Sequence, residues 1–273
     1  MQHWRIDDLP WQRFDPALVR PEPLALVKAA AMVERNAADY GTYLDGVFAD
    51  DADFRAAAAL WAVEEKQHGE VLGRWAMLAD PSWDFGAAFA RFRAGYRVPQ
   101  GVRRSVRGSL SGELIARCMV EIGTSSYYTA LGECATEPVL VEICHHIAAD
   151  EFRHYKLFYD HLRRWQRRER LGLPRRLWVA LGRIGESGDD ELATAWHAAN
   201  DAPGMPYDRR RCAWAYRQGA ASCYRRHHAL RAVAMLFKTV GLSPQGKACE
   251  LAGEVGWWLI RRARRRPLPG SAA

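Results

Sequence analysis

The chain has 273 residues, 49% hydrophobic and 26% charged, with a formal net charge of +7. That balance describes a globular chain able to bury a sizeable core. No apolar run has the length of a membrane span, and the opening MQHWRIDDLPWQRF lacks the apolar stretch of a secretory signal, so a cytoplasmic location is expected. The six cysteines, at positions 118, 134, 144, 212, 223 and 249, form no C-x-x-C pair. This excludes a zinc ribbon or rubredoxin-like iron site and implies reduced, buried thiols. The positive charge is mostly arginine, with runs at Arg163-Arg164, Arg167-Arg168, Arg209 to Arg211 and Arg264 to Arg266. Such a surface fits an acidic partner: nucleic acid, anionic lipid or an acidic protein.

In chain order, residues 1–20 read as an irregular arm, and the first unit is taken as 1–23. Pro21 and Pro23 open a long helical pattern from about Leu24 to Asp50. Asp51 or Asp53 caps a second helix running to about Leu78, with Pro81 beyond its end. A looser segment, Trp83 to Arg107, has helical periodicity at Phe85, Phe89 and Phe92. Ser109 or Ser111 begins a third long helix ending near Cys134. Thr136 is the expected cap of a fourth, with Pro138 at its first position, continuing to about Arg170. Gly172 and Pro174 mark a boundary. Shorter helices follow near 175–186, 189–200, 208–226, 227–240 and 244–264. No alternating Val/Ile/Thr run and no Asn-Gly hairpin is present. The expected class is all-α: an arm (1–23), a four-helix bundle (24–171) and a C-terminal helical extension (172–273).

Chemistry enters at WAVEEKQHGEVLGRW, Trp61 to Trp75. Glu65 and His68 stand three residues apart and share a helix face with Trp61, Leu72 and Trp75. A carboxylate on such a face is costly unless something compensates it. The fourth helix repeats the device with Glu151 and His154, flanked by Cys144, Ile147, Ala148 and Phe158. The other two long helices each carry one acid among apolar or small residues, Glu34 and Glu121. From Glu34 to Glu65 is 31 residues and from Glu121 to Glu151 is 30; Glu34 to Glu121 is 87 and Glu65 to Glu151 is 86. The chain therefore contains two similar helix pairs, each offering Glu and then Glu-x-x-His. Packed as a bundle, the six residues converge into the ligand set of a di-iron or di-manganese carboxylate centre. Four carboxylates balance two dications, and carboxylate with imidazole suits iron or manganese.

The segments WAVEEKQHGEVL and EICHHIAADEFRH resemble the soluble acyl-carrier-protein desaturases of the ferritin-like superfamily. That family has a Trp shortly before Glu-Glu-x-x-His followed by Gly, here Trp61 to Gly69, and an AADE-x-x-H run, here Ala148 to His154. It also has a Thr one turn after its third-helix Glu, matched by Glu121-Ile-Gly-Thr124. The resemblance covers roughly Leu24 to Arg164. It implies a ferritin-like four-helix bundle whose iron ligands are Glu34, Glu65, His68, Glu121, Glu151 and His154. It further implies that Thr124 helps deliver protons to bound oxygen, and that Asp150 and Trp61 are partners of the histidines, fixing their tautomer. The implied substrate is an acyl chain on acidic acyl carrier protein, with an acidic ferredoxin-type electron donor and a homodimeric assembly. His145 and His146 fall off the Glu151 face, and His161 is expected to be structural or exposed. Tyr40, Tyr43, Tyr127 and Tyr128 are candidates to line the substrate pocket.

Rival readings share the metal site. A di-iron hydroxylase acting on a tRNA base or a small metabolite fits the basic charge as well. A ferritin-like iron-oxidising or storage protein also uses paired Glu-x-x-His, but such chains are shorter. An arylamine N-oxygenase would carry a histidine one turn before the last-helix Glu, where this chain has Ile147. The C-terminal GWWLIRRARRRP reads as a helix docked by Trp257 and Trp258 with a solvated basic tail, not as a stable membrane insertion.

Overall fold

A computed structural model of the chain describes residues 3–186 and 190–265. Arg266, the last residue of the final arginine run, lies outside them, as does the end of the expected C-terminal unit. The described residues are helical, with no strand among them. Three short 3-10 turns, Ile6–Asp8, Trp11–Arg13 and Pro16–Leu18, form the N-terminal arm. Six helices follow: α1 (Pro21–Arg35), α2 (Ala37–Val47), α3 (Ala52–Ala79), α4 (Phe85–Gly95), α5 (Leu110–Cys134) and α6 (Pro138–Glu169). The remainder forms α7 (Leu173–Gly185), α8 (Asp190–Asn200), α9 (Arg209–Cys223), α10 (Arg226–Val240) and α11 (Lys247–Ala263).

The single helix expected from Leu24 to Asp50 is broken at Asn36. The Asn36 N–H bonds to the Val33 carbonyl, three residues back, and its backbone sits at φ −83°, ψ 1°. A short polar side chain tolerates this tightened turn. The break falls two residues after Glu34, at the end of α1.

The caps decide the open choices. Asp51, not Asp53, caps α3, its side chain accepting from Phe54 N–H. Ser109 caps α5 by accepting from Gly112 N–H. The cap of α6 is Glu137 and not Thr136: the Glu137 carboxylate accepts from the Val139 and Leu140 N–H groups. Thr136 instead donates to the Leu18 carbonyl and ties down the arm.

Helix α1 packs on α3, α5 on α6, and α3 against α6. Two apolar clusters result. One joins Leu26, Met32, Leu72, Trp75, Leu131 and Ile147; the other joins Phe54, Trp61, Leu114, Ile115 and Phe158. Each fully buried side chain of this size is worth about 1.5–3 kcal/mol. On α3 and α6 the acids singled out from the sequence, Glu65 and Glu151, fall between residues of the first cluster and residues of the second; Glu34 follows the first-cluster residues of α1, and Glu121 lies at the end of the second-cluster run of α5, one residue before Ile122. A layer of carboxylates is thus held between two apolar plugs. Gly69 permits the α1–α3 approach at this level, since a Cβ there would lie 2.5 Å from Arg35 N.

The C-terminal helices cover this assembly. Helix α8 packs on α1, α4 and α9, while α7 and α10 pack on α5 and α11 on α10. The expectation that α11 docks through both tryptophans is corrected. It docks through Cys249 and Gly253, one turn apart, and Trp258 on the other face is 54% exposed. No helix of the described residues is long and apolar enough to cross a membrane.

Candidate metal centre

The ends of Glu34, Glu65, His68 and Glu151 lie within 4.8 Å of one another, and so do those of Glu65, Glu121, Glu151 and His154. The two tetrads share Glu65 and Glu151. All six side chains are buried, His68 and Glu151 completely. α1 supplies Glu34, α3 Glu65 and His68, α5 Glu121, and α6 Glu151 and His154.

Hydrogen bonding orients both imidazoles. His68 Nε2–H donates to Asp150 Oδ2 at 3.0 Å, and His154 Nε2–H donates to Glu64 Oε2 at 2.7 Å. Each Nδ1 then faces the interior. His68 Nδ1 is 3.5 Å from Glu65 and 3.3 Å from Glu151; His154 Nδ1 is 3.0 Å from Glu65 and 3.8 Å from Glu121. Neither Nδ1 has a hydrogen-bond partner, nor has either Glu121 oxygen or Glu151 Oε1. Buried polar atoms are ordinarily satisfied. Five orphan ligand-type atoms converging from three helices, in two groups that share Glu65 and Glu151, could hold a metal ion.

Charge behaviour points the same way. Burial, then the neighbouring Glu65, pushes the Glu34 carboxyl well above the carboxylate range. Burial and Glu151 do the same to Glu121. Burial also works against ionised Glu65, but His154 and His68 outweigh it and hold Glu65 well below the range. The carboxylates in turn overcome burial to raise both imidazoles. Protons thus neutralise this layer without a metal, and dications would displace them.

The sequence reading named Asp150 and Trp61 as partners of the histidines. Asp150 accepts from His68, as above. Trp61 reaches neither histidine: its Nε1–H has no partner, and its ring packs edge-on against Phe158 at 5.5 Å. The tryptophan in the network is Trp4 of the arm, whose Nε1–H donates to Asp150 Oδ2 at 2.7 Å and whose ring stacks on His68. His3 adds a further contact to Asp150 at 2.9 Å. Arg153 ties the two outer acids together, 2.5 Å from Asp150 and 3.2 Å from Glu64. Tyr128 O–H donates to Glu34 Oε1 at 2.5 Å. Glu64 had a signal in the sequence: it precedes Glu65 as Asp150 precedes Glu151. Trp4 and His3 had none, because an arm's docking position has no period.

Thr124 Oγ1–H donates to Glu151 Oε2 at 2.6 Å, with longer contacts to its own helix carbonyls at 3.3 and 3.4 Å. It borders a cavity of about 440 Å³, open mouth included, that reaches the carboxylates of Glu34, Glu65, Glu121 and Glu151. Val33, Ala37, Trp61 and Val120 form its apolar walls, and Tyr40, Arg117, Arg183 and Glu191 its polar side. Of the four tyrosines expected to line a pocket, only Tyr40 lies on this one. Tyr43 donates to Glu113, Tyr128 to Glu34, and Tyr127 packs on Tyr128 and Tyr216.

Two other ligand-type groups have competing partners. Asp201, beside His197 and Cys212, is engaged by the Arg211 guanidinium. In the group of Glu133, His227 and His228, the His228 Nδ1 accepts the Arg225 N–H at 2.9 Å, so its proton sits on Nε2, facing Glu133. No protein-family model matches the chain, and a comparison with curated proteins found no significant match.

Proposed function

We propose that this protein is an O2-dependent oxidoreductase built on a ferritin-like bundle, with two iron ions held by Glu34, Glu65, His68, Glu121, Glu151 and His154. The observation that carries the reading is the pair of buried tetrads sharing Glu65 and Glu151, with unpartnered Nδ1 and carboxylate oxygens facing inward. Manganese fits the same donor set. When bound, the metals would supply oxygen activation and the oxidising power for an unactivated C–H bond.

The chain's own residues supply the rest. Asp150 and Glu64 fix the two imidazoles. The Thr124 hydroxyl holds a proton between Glu151 and the cavity. Val33, Ala37, Trp61 and Val120 exclude water from the reacting position. His3, 30% exposed at its side chain, leads inward through Asp150 to His68, a route for protons or electrons from the surface.

Two outcomes balance. Desaturation takes O2, two electrons and two protons, removes two hydrogens from the substrate and yields two waters. Hydroxylation takes the same inputs, inserts one oxygen and yields one water. No Gly-rich dinucleotide motif is present in the sequence, so a ferredoxin-type partner is the proposed electron source.

The desaturase resemblance supports an acyl chain on acyl carrier protein as substrate, in a cytoplasmic homodimer. The exposed arginines 163, 167, 168, 209 and 210 suit an acidic carrier and an acidic donor. A second reading, oxidation of a small metabolite, is favoured by the polar side of the cavity.

The test is a single turnover. The protein is loaded with Fe(II) without oxygen, mixed with acyl-carrier-protein thioesters of several lengths, and exposed to O2; the acyl products are weighed. Loss of two hydrogens, abolished in Glu151→Ala, establishes the desaturase, and gain of one oxygen a hydroxylase. Unchanged acyl groups with normal iron oxidation remove the carrier-bound substrate. Failure to bind about two irons per chain removes the whole reading.

A further inference from the structure

The cavity beside the carboxylate layer has a charged wall. Arg117 lines it, buried to 7% exposure. Its Nε–H has no hydrogen-bond partner. The carboxylate nearest to its guanidinium, Glu113 Oε1, stands 3.7 Å from Nε. Glu113 is committed elsewhere, its Oε2 accepting the Tyr43 and Ser105 hydroxyls at 3.0 and 2.7 Å. It balances the charge of Arg117 without taking its N–H groups. The guanidinium lies over the Tyr40 ring at 5.0 Å from the centroid, while the Tyr40 hydroxyl is turned away to Glu191 at 2.8 Å. A buried guanidinium with an unmet N–H is unfavourable unless an acceptor arrives. Trp61, on the same cavity, adds a second buried N–H without a partner.

We infer that Arg117 receives the carboxylate of a small organic acid, whose carbon chain then extends along α5 toward Thr124 and the metal ligands. This rests on the metal reading above and takes its small-metabolite substrate in place of the carrier-bound chain, naming the class of that metabolite. The fork of a guanidinium matches a carboxylate in two parallel hydrogen bonds. Arg117 is one turn from Glu121 on the same helix face, about 6 Å along the axis. An acid anchored there presents only a few carbons before it reaches the carboxylate layer. An acyl chain on a carrier brings no charge to this wall and would set methylene groups against the unmet N–H of Arg117.

The experiment uses the full chain loaded with Mn(II) under argon, its metal content measured first. Pentanoate and pentanamide, alike in shape and differing in charge, are titrated by calorimetry. Pentanoate is expected to bind at least about tenfold more tightly. That preference should vanish in Arg117→Gln and survive in part in Arg117→Lys, which keeps the charge and loses the fork. Equal binding of acid and amide by the natural protein overturns the inference and needs no variant. A preference that persists in Arg117→Gln places the carboxylate on the metals and also overturns it. A chain that takes up no metal defeats the dinuclear reading itself and this one with it; normal metal uptake with no acid preference defeats this one alone.

Discussion

Glu64 on α3 accepts a hydrogen bond from His154 on α6 at 2.7 Å. The reverse pairing, from His68 on α3 to Asp150 on α6, stands beside it at 3.0 Å. Each helix thus orients the other's histidine, and Arg153 closes the ring between the two acids. Glu64→Ala should lower metal affinity about 10- to 100-fold by freeing the His154 ring, while Glu64→Gln, which keeps an acceptor, should lose less. Chelator competition measures this directly. An unchanged affinity in Glu64→Ala would show that the contact does not orient the ligand.

Metal removal has a signed pH dependence. Glu34, Glu121, His68 and His154 all have raised affinity for protons in the folded chain. Their contribution to metal-free stability is therefore full below their unfolded pKa values and is lost as pH rises through the raised ones. Metal replaces those protons, so metal affinity should climb as pH rises above the ordinary carboxyl and imidazole ranges. At a free metal concentration of about 100 Kd, binding adds about 2.7 kcal/mol. Scanning calorimetry with Mn(II) or chelator should show a Tm gap of roughly 5–10 °C that widens with pH. A gap that narrows would contradict the proton displacement.

Thr124 tests the cavity side of the site. Thr124→Val removes the hydroxyl that donates to Glu151 at 2.6 Å while keeping the side-chain shape. Iron loading and O2 consumption should stay near the natural level, with product formed per O2 falling roughly tenfold to hundredfold. Thr124→Ser should restore most of the coupling. Equal coupling in all three proteins would reduce Thr124 to a helix residue bonded to its own backbone.

Gly69 tests how the ligands are brought together. A methyl group there meets the backbone nitrogen of Arg35 at 2.5 Å, so α1 and α3 must part beside Glu34 and Glu65. Gly69→Ala should cost about 1–3 kcal/mol in urea unfolding of the metal-free protein. It should also reduce metals bound per chain. A variant of natural stability and full occupancy would show that the helices are free to shift at this level.

The helical class and the candidate ligands were legible because both follow local rules. Glu65 with His68, and Glu151 with His154, sit three apart on apolar faces, and a repeat of near-equal spacing ties the two halves together. Even Glu64 was within reach of that repeat. The break at Asn36 was not, because a tightened turn leaves the apolar period almost undisturbed. Glu137 displaced Thr136 as cap because a carboxylate already accepting from Trp75 and from the Asp15 backbone is positioned by contacts distant in sequence.

Taken alone, then, the sequence determined the all-helical class and which six acid and histidine side chains stand on apolar helix faces, since helical period is a property of neighbours along the chain. Only the tertiary structure decided which acid orients which histidine, that Trp4 rather than Trp61 joins the network, and that Arg117 faces the cavity with an N–H unmet. Those relations depend on how separate helices and the arm meet. A hydrogen bond or a buried charge is settled by the few ångströms between elements, which no spacing in the sequence records.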